Sequence, residues 1–331
     1  MDKRVYGVIG ISSEMANWNA DFTGYPKTTS NGEVFGSDKA LKYPMKKMWD
    51  ENGEQVLYIK SMTLGHKIDK KTKKITDTFL VPRTLKERYE MLFQCEDLKE
   101  VKDQTEICKN LFKAIDVKNF GATFAEAEKN ISITGAVQIG QGLNKYDETE
   151  TTEQQILSPF RDSKDIEKKE SKKKSDDEEV EVAKNSTLGT KIVSREAHYF
   201  YPFSINPLAY KDYKALGFTD GYTEEDYKKF KNTALVSATS YATNAKLGCE
   251  NEFALFVETE QNLYIQNLSQ YITFGKGSDK NVIAIKCGNL LNSFNNKIKN
   301  IEIYYNPYTT VIESDIKGAK VLNIFTQEEV K

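Results

Sequence analysis

Histidine and cysteine are scarce in this sequence. Two histidines, His66 and His198, and four cysteines, Cys95, Cys108, Cys249 and Cys287, are spread over 331 residues, with no Cys-x-x-Cys pair. That spacing does not suit a structural zinc site, and no metal is expected. Reduced, buried thiols in a cytoplasmic protein are the expected state. Long apolar runs are lacking too. The opening MDKRVYGVIGISS is too short in apolar residues for a signal peptide. No later run has the length of a bilayer span, so no membrane is expected as a partner. Neither sign of charge dominates: 47 basic and 49 acidic residues give a net charge of −2. Any basic surface must therefore be local. There is no GxGxxG and no GK[ST], so Gly140-Gln141-Gly142 is not a nucleotide cradle, and no cofactor is expected.

What is present centres on Val117–Lys145, VKNFGATFAEAEKNISITGAVQIGQGLNK. Two apolar runs, Phe120–Phe124 and Ile131–Ile139, flank a polar turn through Glu126–Asn130. In the second run Ile131, Ile133, Gly135, Val137 and Ile139 alternate with Ser132, Thr134, Ala136 and Gln138, which is strand period. Gly140 and Gly142 follow around Gln141. Glycine and small polar residues along a strand edge let another backbone approach closely.

Around this stretch the chain reads as an α+β protein. Arg4–Ile11 is almost continuously apolar, as a central strand buried on both faces requires. Residues 12–37 read as a polar loop. Ser37 or Asp38 caps a helix to about Asp50. Its face of Leu41, Met45 and Met48 opposes one of Lys39, Lys42 and Lys46. Pro44 is expected to kink or shorten it. Gln55–Lys67 and Lys74–Val81 form a hairpin with a lysine-rich tip. Helices follow near Thr84–Gln94 and Gln104–Ile115. Arg161–Lys184 carries eight basic and nine acidic residues and no aromatic. It is read as a mobile insertion, because it has little apolar surface to offset its ordering entropy. Strand character resumes at Thr190–Phe203. A capping box at Thr223–Asp226 opens a helix to about Ala245. Further strands are expected at Phe253–Glu258, Val282–Lys286, Ile301–Tyr305 and Lys320–Thr326. Stripped of insertions, the order accommodates a β-α-β-β-α-β, ferredoxin-like core, the topology also used by RNA-recognition motifs.

Three stretches together resemble a known family: NWNADFTGYPKT at Asn17–Thr28, SDKALKYPMKKMW at Ser37–Trp49, and FGATF…NISITGAVQIGQG at Phe120–Gly142. REAHYFYPFSINP at Arg195–Pro207 fits the same pattern. They resemble the backbone subunit of type I CRISPR Cascade, the Cas7 family, most closely its type I-B (Csh-type) branch. The resemblance implies a single hand-shaped domain. Its ferredoxin-like, RRM-like palm would comprise about 4–11, 38–50, 116–145 and 190–260. Finger insertions would occupy 12–37 and 55–82, a thumb with the charged insertion 146–195, and C-terminal strands 261–331.

It further implies a non-catalytic, RNA-binding subunit that polymerises in multiple copies along a crRNA. Such a subunit kinks the guide so that it pairs with target DNA, and it contacts other Cascade subunits. By the same resemblance Asn17, Asn19, Lys39, Lys42, Lys46, Gln138, Gln141 and Lys145 are the expected RNA contacts. Where relatives carry Pro-Asn-Gly-Asp, this chain has Trp18-Asn19-Ala20-Asp21. Variable guides demand a grip on phosphate and ribose rather than on base edges. The alternative is a type III-like subunit that cleaves target RNA with Asp21. No His, Lys or second carboxylate is clearly positioned with that residue as an acid–base partner.

Overall fold

Valine and isoleucine at positions 5, 8, 9 and 11 fill the middle of β1 (Lys3–Ala16), and all four are wholly buried. Residues 1–158 and 187–330 are described by a computed structural model. After β1 come β2 (Phe35–Gly36), α1 (Asp38–Glu51) and the hairpin of β3 (Met62–Ile68) and β4 (Ile75–Pro82). Three helices follow, α2 (Leu85–Phe93), α3 (Gln104–Lys113) and α4 (Ile115–Phe120). Then a second hairpin pairs β5 (Gly121–Glu126) with β6 (Lys129–Thr134). Its turn is the left-handed pair Ala127 and Glu128, the geometry a two-residue hairpin loop requires.

The chain continues through β7 (Val137–Ile139), β8 (Gly142–Asn144), β9 (Thr151–Ser158) and the long β10 (Thr187–Ile205). Helices α5 (Lys211–Ala215) and α6 (Glu224–Ser240) lead to β11 (Cys249–Glu260). The C-terminal part holds β12 (Ile272–Lys276), β13 (Asn281–Ile285), α7 (Gly288–Asn292), β14 (Ile298–Tyr305), β15 (Thr310–Ser314) and β16 (Lys320–Asn323).

The large sheet runs β16-β14-β11-β1-β10-β8-β2, with β7 and β9 also paired to β10. β1 lies between β10 and β11 and is antiparallel to both. α1 therefore crosses from β1 to the β7–β8 edge, and α6 crosses from β10 to β11 over the inserted β1. One face of the sheet carries Val5, Ile9, Ile11, Tyr201 and Phe256 against Leu41, Met45 and Trp49 of α1 and Phe230 and Ala234 of α6. The other face carries Tyr6, Val8, Phe200 and Leu255 against Ile272, Ile283 and Ile285 of the small sheet β12-β13-β15. This three-layer arrangement explains why the central strands are apolar at consecutive positions.

Several boundaries differ from the sequence reading. β1 runs on to Ala16, so the loop begins at Asn17. Residues 55–61 are irregular, and the first hairpin strand starts at Met62. α6 stops at Ser240 rather than near Ala245. The run Ile131–Ile139 is two strands in two sheets, because the chain crosses the end of α4 at Gly135. A Cβ there would lie 2.2 Å from the Phe120 carbonyl carbon. Pro44 does not end α1, which continues to Glu51. Burial of Leu41, Pro44, Met45 and Trp49 outweighs the lost helical hydrogen bond. The charged segment Arg161–Lys184 lies outside the described residues.

A charged cluster ties the small sheet to the large one. His198 of β10, 2% exposed, places Nδ1 2.9 Å from Glu252 and Nε2 3.0 Å from Glu196. The Phe274 ring of β12 stacks on the imidazole at 3.6 Å, Tyr146 meets it edge-on, and Lys276 pairs with Glu196. Burial disfavours the charged imidazole, but Glu252 and Glu196 outweigh it and hold His198 above its ordinary value. A raised histidine stabilises the fold fully below about pH 6.5, and that contribution fades as pH climbs through the raised value. Thermal unfolding midpoints measured from pH 6 upward are therefore expected to fall with pH, and to fall less in His198→Gln. An equal slope in the variant would remove the cluster from the account.

Candidate nucleic-acid interface

Trp18 anchors the loop that joins β1 to β2. It is 1% exposed, and its Nε1–H donates to the Tyr201 hydroxyl of β10. Gly36 and Gly142 pair across β2 and β8 above the same tyrosine. A Cβ at Gly142 would lie 2.4 Å from the Tyr201 ring. The glycines at this edge are thus explained by Tyr201 and by the chain's own β2, which takes the close approach read from sequence. Lys246 Nζ donates to the carbonyl oxygens of Asn17, at 2.7 Å, and of Trp18, and it lies over the Trp18 ring. Burial pushes that ammonium below its ordinary pKa.

The expected contact residues fall into separate groups. Asn17 is 5% exposed, and its Nδ2 donates to Gly24 O at 2.8 Å and Ile192 O at 3.2 Å. These two bonds tie the loop to β10. Asn19 Oδ1 accepts from Ser37 N at 2.7 Å, just before α1. Its Nδ2 has no partner among the described residues. Lys39 is exposed, two residues on. Gln141 is exposed beside Gly142, whose partner is Gly36. Asn19, Lys39 and Gln141 therefore gather around one β2–β8 edge, at the start of α1. Ser37 makes no side-chain cap there.

The other lysines of α1 recede from that edge. Lys42 Nζ pairs with Asp38 Oδ2 at 2.8 Å and lies over the Phe120 ring. Lys46 Nζ reaches Tyr58 O at 3.4 Å, and burial lowers its pKa although Asp116 opposes the shift. The three lysines are not one solvent-facing stripe, because Phe120 of α4 lies beside Lys42 and Tyr58 beside Lys46. Gln138 pairs with Ser204 and lines a hollow of about 360 Å³ with Tyr6, Gly7 and Phe203, and Tyr6 belongs to the face under the small sheet. Gln138 thus lies across the sheet from α1, with its Nε2 donating to Gly135 O at 2.8 Å. Lys145 is half-buried at the base of β9, its backbone N–H bonded to His198 O at 2.8 Å.

Asp21 caps a tight turn. It accepts from Thr23 N at 2.8 Å, the Thr23 hydroxyl at 2.7 Å and Tyr25 N at 3.1 Å. The Thr23 hydroxyl first, then these amides, hold its carboxyl below the usual range. Its partners among the described residues are thus turn donors rather than an acid–base group.

Two features escaped the sequence reading. Phe22, beside Asp21, is fully exposed at the loop tip. The loop reaches β9 and β10 through Tyr25–Glu153 and Asn17–Ile192 contacts, so Phe22 stands close to the β9–β10 hairpin. Asp116 is 1% exposed and accepts from the Leu57 and Tyr58 N–H groups, both at 2.8 Å. It fixes the connection from α1 to β3. A lone acid between apolar neighbours in Ala114-Ile-Asp-Val117 was the available signal.

A family model described as CRISPR-associated protein Cas7 matches residues 3–290. The chain belongs to the Cas7 family. Among solved structures, this Cas7 chain is similar to a chain of a "CRISPR RNA-guided surveillance complex, pre-nicking", at 13% identity and TM-score 0.49, covering 95% of this chain and 96% of that one. A chain of a "CRISPR RNA-guided surveillance complex" matches at 13% identity and TM-score 0.42, covering 91% and 88%. No curated protein matches. Membership of the Cas7 family rests on the sequence model. Among the described residues no helix is long and apolar enough to cross a membrane.

Proposed function

We propose that this chain is a non-catalytic backbone subunit of a type I-B CRISPR Cascade, acting in the cytoplasm. Copies polymerise along the crRNA spacer, hold its sugar-phosphate chain without reading sequence, and kink it so that exposed segments pair with target DNA. The match to the Cas7 family over residues 3–290 carries this reading. The strand order supports it. β11-β1-β10 with β7 and β8 at the edge, and helices crossing after β1 and after β10, suits a ferredoxin-like, RRM-like palm. In this reading β3–β4 is a finger and β9–β10 the thumb.

Asn19, Lys39 and Gln141 are the contacts best placed on the guide. A point charge and two amides suit phosphate and ribose, which every sequence shares. Lys42 and Lys145 flank them, and Lys46 has a supporting role. Phe22 is proposed to stack on a base at the kink, where unstacking exposes a ring face.

RNA that co-purifies with the complex, isolated without nuclease treatment and sequenced, tests this directly: repeat-flanked guide transcripts are expected. Incubating the assembled complex with complementary RNA separates the alternative. Intact RNA is expected, whereas periodic cuts that vanish in Asp21→Ala would replace this proposal with the cleaving one.

A further inference from the structure

Lys246 sits in the turn between α6 and β11, and its side chain serves the loop that begins at Asn17. Two residues on, Gly248 has a φ of +102°, and a Cβ on it would lie 2.2 Å from the Glu14 carbonyl oxygen. Only glycine tolerates that approach, which lays the turn against the end of β1. Two main-chain bonds fasten it there. Glu14 N donates to Gly248 O at 2.8 Å, and Asn17 N donates to Ala245 O at 2.9 Å.

The Lys246 ammonium has no carboxylate partner among the described residues. It donates to two neutral oxygens, Asn17 O at 2.7 Å and Trp18 O, and lies over the Trp18 ring. The root of the loop has other anchors. The Trp18 ring is buried and its Nε1–H donates to Tyr201, while Asn17 Nδ2 donates to Gly24 O and Ile192 O. What Lys246 adds is control of the next peptide, Trp18–Asn19.

Every described peptide is trans, so each N–H points opposite to the C=O of the same peptide. Drawing Trp18 O onto Lys246 therefore turns the Asn19 N–H to the other side of the loop. Further along, Lys27 N donates to Asn19 O at 2.9 Å and Ser37 N to Asn19 Oδ1 at 2.7 Å. Lys246 thus completes a hold on Asn19 from three sides. The groups left over are its main-chain N–H and Nδ2. Both are donors, and neither has a partner among the described residues.

We infer that Lys246 is a positioning residue for guide binding: its ammonium fixes the Trp18–Asn19 peptide, so that the Asn19 donors are aimed at a phosphate or ribose oxygen before RNA arrives. The inference rests on the proposed contact of Asn19 with the guide. A loop already held in its binding conformation loses less entropy on association, and affinity rises by that difference. Lys246 does this from behind the loop, without touching the RNA.

Anisotropy titrations of a guide-length RNA against the wild type, Lys246→Met, Asn19→Ala and the double variant test this. Methionine keeps the unbranched stem and removes the charge and the donors. Lys246→Met and Asn19→Ala are each expected to weaken binding about tenfold, the net contribution of roughly one hydrogen bond. Because one residue acts through the other, the double variant is expected to match Asn19→Ala within about twofold. Independent losses would multiply instead, to about a hundredfold. That result would mean that Lys246 meets the RNA itself or only supports the fold, and it overturns the inference, as does normal binding by Lys246→Met. Urea unfolding of the same samples checks that each variant folds. If Lys246→Met does not, Lys246→Gln, which keeps a neutral donor, replaces it in the cycle with the same expectations. Normal binding by Asn19→Ala overturns the inference and leaves the other guide contacts standing. An unaltered chain that ignores RNA overturns the proposed function with it.

Discussion

Gly36→Ala is expected to destabilise this protein by about 1–3 kcal/mol, the usual cost of overpacking a filled site, with the upper end favoured. The new Cβ would lie 1.8 Å from the Tyr201 hydroxyl and 2.8 Å from the Trp18 ring. Both side chains are essentially unexposed and cannot yield without moving β10 or the loop from Asn17. The backbone conformation is not the problem, since Gly36 lacks the positive φ that would favour glycine. The cost is purely one of space. Urea unfolding reads the loss as a lower midpoint at constant slope. Because Gly36 pairs with Gly142 and leads into α1, RNA affinity should fall with it. Tyr201→Phe removes the hydroxyl that the new methyl would strike, and combining it with Gly36→Ala should recover part of the loss. No recovery would place the strain elsewhere.

Phe22→Ala should do the reverse: leave stability within about 0.5 kcal/mol and lower RNA affinity by about 1–3 kcal/mol, roughly five- to 150-fold. A fully exposed phenyl ring at a loop tip stabilises nothing in the isolated chain. Its worth appears only when a base stacks on it. Phe22→Trp should keep or strengthen binding. Equal affinities for the wild type and Phe22→Ala, by fluorescence anisotropy on a guide-length RNA, would remove Phe22 from the interface.

The sequence revealed most elements but fewer side-chain roles. Alternation and continuous apolar runs located β1, β10 and β11, because burial on one or both faces leaves a periodic trace. The Thr223–Asp226 capping box located the start of α6, where both reciprocal hydrogen bonds form. Less legible were the surroundings of single residues. Asn17 and Asn19 are two residues apart and chemically identical, yet one is sealed under the loop and the other opens at the edge. Only the path of the loop across Ile192 and Ser37 separates them. Lys39, Lys42 and Lys46 share a helix face by spacing, but α4 and Tyr58 cover the later two. Gln138 and Gln141 lie three residues apart on opposite sides of a strand break at Gly140. Gly135 and Gly142 were read as places of close approach, and a Cβ at either would clash; Gly36 was not singled out. What approaches them was not legible, because the neighbours, Phe120 and Tyr201, are remote or sit behind a turn.

The central claim is that this edge grips a guide backbone and ignores its bases. The most direct measurement is the salt dependence of binding for two guide-length RNAs of unrelated sequence, with the wild type and with Lys39→Glu. The account predicts matching affinities and slopes for the two RNAs. It also predicts a slope flatter by about 0.7 in the variant, the share of one phosphate contact on a single strand. A strong preference for one RNA, or a slope that Lys39→Glu leaves untouched, would contradict it.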